Sequence, residues 1–364
     1  GGMAQGQLSF KGSTHFRQRL CCSLLSGRPV SITHIRSTDE APGLRDFEAS
    51  FLRLLDKVTN GTSVVINETG TEVRFKPGML VGGKVQHPCP PSRAVSYHVE
   101  GLLQLAPFMK EGLRVTFTGV TNAEEDTSVD VLRTVTMPLL ERFGARSLGL
   151  KVLKRGAPPL GGGEVLFTAG VVRELRAVQL VEEGQVAKVR GIAYSTRVSP
   201  QISNRLMEAS KAYLQRFTPH VQIHTDHYKG QESGKSPGFG LALIAETTTG
   251  ARLSAECVGD AGELPEDVGV RAAQMLLEEV MKGGVVDTSN QSLPLLYMVL
   301  CPEDVSKIRL GNLSDYSVTY LRHLRDFFGV KFKIVCDTDP DSETESVLLS
   351  CQGIGYVNFA RKIF

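Results

Sequence analysis

Apolar residues fall into two kinds of segment along this chain, and the two kinds recur in a fixed order. In one they repeat every three to four positions, which predicts helices with a single buried face. In the other they form short runs bounded by glycine and polar residues, which predicts strands. A helix, a turn with glycine, a strand, an acidic or glycine-rich loop and a second strand follow one another three times. The first copy runs from Phe47 to Val58 through Ser63 to Ile66 to Val73-Arg74-Phe75. The second runs from Val131 to Phe143 through Leu148 to Leu153 to Glu164 to Thr168. The third runs from Val318 to Phe328 through Lys331 to Val335 to Val347-Leu348-Leu349. A short apolar helix is predicted ahead of each copy, over Phe16 to Leu25, Tyr97 to Phe108 and Gln291 to Leu300.

The glycines that close the copies give the spacing: 92 positions separate Gly78 from Gly170, and 183 separate Gly170 from Gly353. About one unit's length is therefore inserted before the third copy. The interval reads strand Val186 to Tyr194, helix Pro200 to Phe217, strands Val221 to Thr225, Leu241 to Thr247 and Ala251 to Val258, and helix Pro265 to Met281. The predicted fold class is α/β of the α+β kind, with mixed sheets and paired helices on one face. Residues 1–183 and 281–364 are expected to form a large domain of three repeats, and 184–280 a smaller inserted α/β domain.

Composition adds limits. The 364 residues are 41% hydrophobic and 22% charged, enough for two or three cores. No apolar run reaches 18 residues, and the window Leu20 to Leu25 is too short for a signal peptide, so neither a membrane span nor an export signal is expected. Seven scattered cysteines without a C-x-x-C pair point to a reducing compartment and argue against zinc. With a net charge of only +2, any RNA contact must come from a local basic surface.

The densest punctuation is Lys154-Arg155-Gly156-Ala157-Pro158-Pro159-Leu160-Gly161-Gly162-Gly163-Glu164-Val165, which no helix tolerates. By itself it predicts a strand connection, with a possible anion nest beside Lys154 and Arg155. Its spelling, Arg-Gly-x-x-Pro-x-Gly-Gly-Gly-Glu-Val, resembles the signature of the RNA 3'-terminal phosphate cyclase family. That resemblance covers the whole chain. It implies a large domain of three repeats, each like the C-terminal domain of a bacterial initiation factor, and a small domain inserted before the last.

Cyclases of this family adenylate a histidine with ATP, pass the nucleotide to an RNA 3'-phosphate and close a 2',3'-cyclic phosphate. In place of that histidine this sequence has Tyr316, a poor nucleophile with an ordinary pKa near 10. The family's N-terminal glycine loop is reduced to Gly12-Ser13-Thr14-His15-Phe16-Arg17, keeping only Arg17 in register. Arg36 stands at a phosphate-binding position, but Asp39 reverses the charge of the second such arginine. Ser289-Asn290-Gln291 keeps a glutamine and loses an acid. These departures resemble the branch of the family that has kept the fold and lost cyclisation.

Membership of that branch implies a non-enzymatic factor of the nucleolar small-subunit processome, needed for early pre-rRNA cleavages toward 18S rRNA and the 40S subunit. It also implies binding to an assembly GTPase and promotion of its nucleotide exchange. No cofactor and no homo-oligomer are expected. A second reading is a pre-rRNA endonuclease using Arg322-His323-Leu324-Arg325-Asp326, with His323 and Asp326 as base and acid. Arg322 and Arg325, three apart, share a helical face that, with Lys154 and Arg155, is expected to bind phosphate, RNA or an acidic partner. His220, His224, Asp226 and His227 read as a solvated strand end, the acidic run Asp337 to Glu345 as a connecting loop without calcium-loop spacing, and Cys89 as exposed and unreactive.

Overall fold

The computed structural model describes residues 6–338 and 345–361. Most of the acidic run between Asp337 and Glu345 lies outside them.

The first repeat contains β1 (Leu8–Lys11), α1 (Phe16–Ser26), β2 (Val30–Thr33), α2 (Asp46–Val58), β3 (Thr59–Asn60), β4 (Ser63–Ile66), β5 (Val73–Lys76) and β6 (Met79–Leu80). The second contains β7 (Gly83–Pro88), α3 (Val95–Leu105), β8 (Leu113–Gly119), α4 (Val129–Val131), α5 (Met137–Arg142), β9 (Gly149–Lys154) and β10 (Gly163–Ala169). The third begins with β11 (Gln179–Leu180) and is interrupted. Between β11 and its continuation lie β12 (Val186–Thr196), α6 (Gln201–Leu214), β13 (Val221–Tyr228), β14 (Gly238–Thr247), β15 (Arg252–Val258) and α7 (Pro265–Lys282). The repeat resumes with α8 (Ser292–Leu300), β16 (Val305–Leu310), α9 (Asp315–Phe328), β17 (Lys333–Thr338) and β18 (Glu345–Gln352).

All three repeats share one topology. Their sheets run β1-β2-β5-β4, β7-β8-β10-β9 and β11-β16-β18-β17, each with a parallel first pair and antiparallel pairs after it. The parallel pair requires a crossover, which α1, α3 and α8 supply. The hydrophobic pattern predicted only the last two strands of each unit. The structure adds a parallel strand on either side of the crossover helix, so every unit is a four-stranded sheet. The inserted segment has its own sheet, β13-β12-β14-β15, and its own core cluster under α6 and α7.

The crossover helices occupy the centre. Almost every residue of α1, α3 and α8 is buried, and one continuous apolar cluster runs through all three repeats. Such all-round burial explains why α8 is apolar along its whole length (Ser292-Leu-Pro-Leu-Leu-Tyr-Met-Val-Leu300). The sheets lie outside and alternate buried with exposed positions, as in β5 and β8. Gly101 in α3 is where α2 comes closest: a methyl there would collide with the Phe51 ring.

The helix expected over Val131 to Phe143 is not continuous. A π turn at Leu132–Thr136 separates α4 from α5. Pro138 has no N–H to give the Thr134 carbonyl, and Arg252 Nη1 of β15 donates to that carbonyl instead, at 2.6 Å. The inserted sheet is thereby fastened to the second repeat at the break.

A candidate site in the cleft between the repeats and the insert

A cleft of about 720 Å³ opens between α1, the starts of α3 and α9, and the insert's β15 and α7. Tyr316 lies in its wall in the first turn of α9, a helix capped by Ser314, whose hydroxyl accepts from Ser317 N at 3.1 Å. Although 41% of its surface stays exposed, partial desolvation at the cleft wall raises the Tyr316 phenol to about 12. At neutral pH it is almost wholly protonated and no substitute for an imidazole nucleophile. Beside it, His15 holds a left-handed backbone conformation (φ 57°) and donates from Nε2 to the Tyr316 carbonyl at 2.9 Å. Burial lowers its pKa, so the ring is neutral.

The two arginines of the cleft predicted to bind phosphate, Arg17 and Arg36, are present, but each is already engaged. Arg17, buried, pairs with Glu100 and donates to the Tyr97 carbonyl. Arg36 makes a two-pronged pair with Glu48 at 2.7 and 2.9 Å, and Glu48 also accepts from Arg45 N at 2.8 Å to close the start of α2. Arg93 pairs with Asp126, and Lys282 with Glu279. Four further carboxylates line the cleft without an ion-pair partner among the described residues: Glu124, Glu125, Glu256 and Glu278. Burial raises Glu256 to about 7. A triphosphate entering would meet acids already neutralising every arginine and several acids with no cation.

Arg155 corrects the sequence reading. Expected at the surface beside an anion nest, it is 1% exposed. It donates to both oxygens of Asp130 at 2.7 and 3.1 Å, to Asn122 at 2.9 Å and to Asp226 of β13 at 3.0 Å. Tyr194 and Tyr228 of the insert lie 4.6 and 5.3 Å from its guanidinium carbon. Burial alone would raise the Asp130 carboxyl, but Arg155 overcomes this and holds it below its usual value. The glycine triplet is likewise no nest. Gly161 accepts from Lys235 N at 2.9 Å and Arg155 N donates to Glu232 O at 2.9 Å, so this loop is sewn to the insert. Lys154 is half exposed and pairs with Glu164 at 3.4 Å.

The nuclease residues also separate. His323, expected on the helix surface, is 5% exposed; its Nε2 accepts from Arg19 Nε at 3.2 Å and its ring meets Phe10 edge-on. Burial, then Arg19, lowers it to about 3. Asp326 instead pairs with Arg325 at 3.3 Å. Arg322 and Arg325 are exposed, as predicted for one face of α9.

Sequence reasoning missed a buried trio. His87, Cys89 and His98 bring potential metal-binding atoms within 4.8 Å of one another. Cys89, expected exposed, is 9% exposed. Ser50 Oγ bridges the two imidazoles at 2.8 and 3.1 Å, and burial lowers both rings and raises the thiol. A metal would find neutral imidazoles but would have to displace the thiol proton. The His-x-Cys spacing was visible in the sequence; the third member, on α3, was not. Of the four residues read as a strand end, Asp226 and His227 are tied to Arg155 and Ser195.

This combination of three like repeats, an inserted sheet and a glycine-rich seam belongs to a known class. The chain is a member of the RNA 3'-terminal phosphate cyclase family, whose profile matches residues 8–334. Within it, the chain is 52% identical over 374 residues to a probable RNA 3'-terminal phosphate cyclase-like protein of Dictyostelium discoideum, covering 98% of this chain and 100% of that protein. It is 50% identical to the human RNA 3'-terminal phosphate cyclase-like protein over 98% of both chains. It is 43% identical to a Schizosaccharomyces pombe protein named rRNA processing protein rcl1, over 99% of this chain and 100% of that one.

Proposed function

We propose that this protein is a pre-rRNA processing factor that works without nucleotidyl transfer, as a component of the small-subunit processome in the nucleolus, on the way to 18S rRNA. The observation that carries this is the cleft: Tyr316 where the family's adenylated histidine belongs, and every cleft arginine matched by an internal carboxylate. The name of the fission-yeast relative supports the rRNA assignment. In this reading the protein is a monomer outside its complexes and uses no cofactor. It binds an assembly GTPase through the exposed basic face of α9 and promotes its nucleotide exchange. The endonuclease reading gains no support from His323, a buried neutral ring that accepts from an arginine.

The test is a paired assay on the purified protein: calorimetric titration with the assembly GTPase, alongside incubation with ATP and 3'-phosphate RNA and with a pre-rRNA fragment spanning the early cleavage sites. Binding without covalent AMP, cyclised ends or cleavage is expected. Site-specific cleavage by the protein alone would overturn the reading.

A further inference from the structure

The molecule's second concavity has the opposite character. A pocket of about 470 Å³ on the insert is lined by Arg197, His227, Tyr228, Lys229, Gln231 and their neighbours, with no carboxylate among them. Two of its side chains, Arg197 and His227, are set in place by bonds that leave a donor or acceptor end unused. Arg197, in a left-handed backbone conformation (φ 54°), spends only Nε, on the Gly234 carbonyl at 2.7 Å. His227 is anchored through Nδ1 by buried Ser195 at 2.8 Å, leaving Nε2 without a protein partner. Lys229 is exposed and has no ion-pair partner among the described residues. Tyr228 is backed by Arg155.

The rim is equally fixed. Thr196 Oγ1 donates to Ser233 O at 2.6 Å and Ser233 Oγ to Gly230 O at 2.6 Å, while Lys235 N ties the loop to Gly161. Two free cations, an imidazole nitrogen and an aromatic ring in a stiff, carboxylate-free hollow match a phosphodiester with an adjoining base.

We propose that this pocket binds the backbone of single-stranded RNA, with Arg197 and Lys229 on phosphate and Tyr228 against a base. The proposal rests on the pre-rRNA reading only for the choice of RNA as ligand.

The experiment is fluorescence anisotropy of the full chain with a short labelled single-stranded RNA across a salt series, with inorganic phosphate and poly-glutamate as competitors. The Arg197→Ala/Lys229→Glu double variant is expected to lose about ten-fold or more in affinity. The slope of log affinity against log salt should shrink by about 0.7 for each phosphate contact removed. Lys76→Glu, an exposed change on the first repeat's sheet, should bind as wild type. Should Arg197→Ala unfold the insert, Lys229→Glu alone carries the test, since its side chain holds nothing in the fold. Wild-type affinity and slope in the variant would overturn the proposal. So would poly-glutamate displacing RNA at equal charge, which would assign the pocket to an acidic protein segment. Normal 18S rRNA after depletion of the protein would end the pre-rRNA reading without touching the binding result, so the two fail separately.

Discussion

The imidazole of His15 stacks on the ring of Tyr316, with centroids 3.8 Å apart and planes 20° from parallel. A histidine is thus present within touching distance of Tyr316, but it caps the start of α1, and its Nε2 proton is committed to the Tyr316 carbonyl.

A histidine placed at 316 is therefore not expected to support adenylation. Tyr316→His, incubated with ATP, is expected to show no covalent AMP by intact-mass analysis, because Glu100, Glu48 and Asp126 still occupy the arginines a triphosphate needs. An AMP adduct on the variant would show that the nucleophile alone was missing.

Arg155 joins the second repeat to the insert, and its removal leaves buried Asp130 with only Asn122 and the half-exposed Arg133, 3.4 Å away, to compensate it. Arg155→Met should destabilise the protein by about 3–5 kcal/mol in denaturant unfolding, and Arg155→Lys should recover only part of it, since an ammonium does not match the two-pronged geometry. A loss below about 1 kcal/mol would contradict this role.

Acid should weaken the fold through the buried histidines. His87 is lowered to about 4 and His323 to about 3, in both cases chiefly by burial. The unfolded chain takes up protons near the ordinary value of about 6.5, while the folded chain resists until much lower pH. Stability is therefore complete above about 6.5 and declines as pH falls toward those lowered values. Thermal melts at pH 7, 6, 5 and 4 should show this decline, and His323→Gln should flatten it. Glu256, raised to about 7, acts in the opposite direction over the same range, so Glu256→Gln should steepen it.

The exposed face of α9 should govern partner binding and not folding. Arg322→Glu with Arg325→Glu is expected to weaken binding of the assembly GTPase by ten-fold or more in calorimetry, with the melting temperature changed by no more than a degree or two, because neither side chain is buried. Unchanged affinity would move the contact elsewhere.

What the sequence made legible was whatever is encoded within one turn or one strand. The period over Phe47 to Val58 and Val318 to Phe328 marks those two helices, although α9 begins a turn earlier, at Asp315 behind its Ser314 cap. The strand Leu113–Gly119, like the others beside the crossover helices, goes unread in the hydrophobic pattern although its positions alternate, and nothing linear says that it lies in the middle of a sheet. Burial of charge was the hardest feature to read. Arg155 sits in a stretch rich in lysine, proline and glycine that reads as surface, and only partners 25 and 71 positions away take it inside. His323 looks solvated between two arginines until Phe10 and Arg19 of the first repeat cover it. In the cleft, Tyr316 could be singled out by a count along the chain, whereas the pairing of each arginine with an acid depended on distances no spacing reveals.

The glycine-rich stretch has a role independent of any nucleotide. A methyl added at Gly163 would lie 2.7 Å from Gly156 N, and one at Gly234 would lie 2.6 Å from Gly161 O. The glycines are small because two backbones pass through one another's space there. Their spelling records a joint in the scaffold, so the motif stays under steric constraint whether or not the family's reaction is kept. A motif of this kind reports ancestry and architecture, and chemistry must be judged from the residues around it.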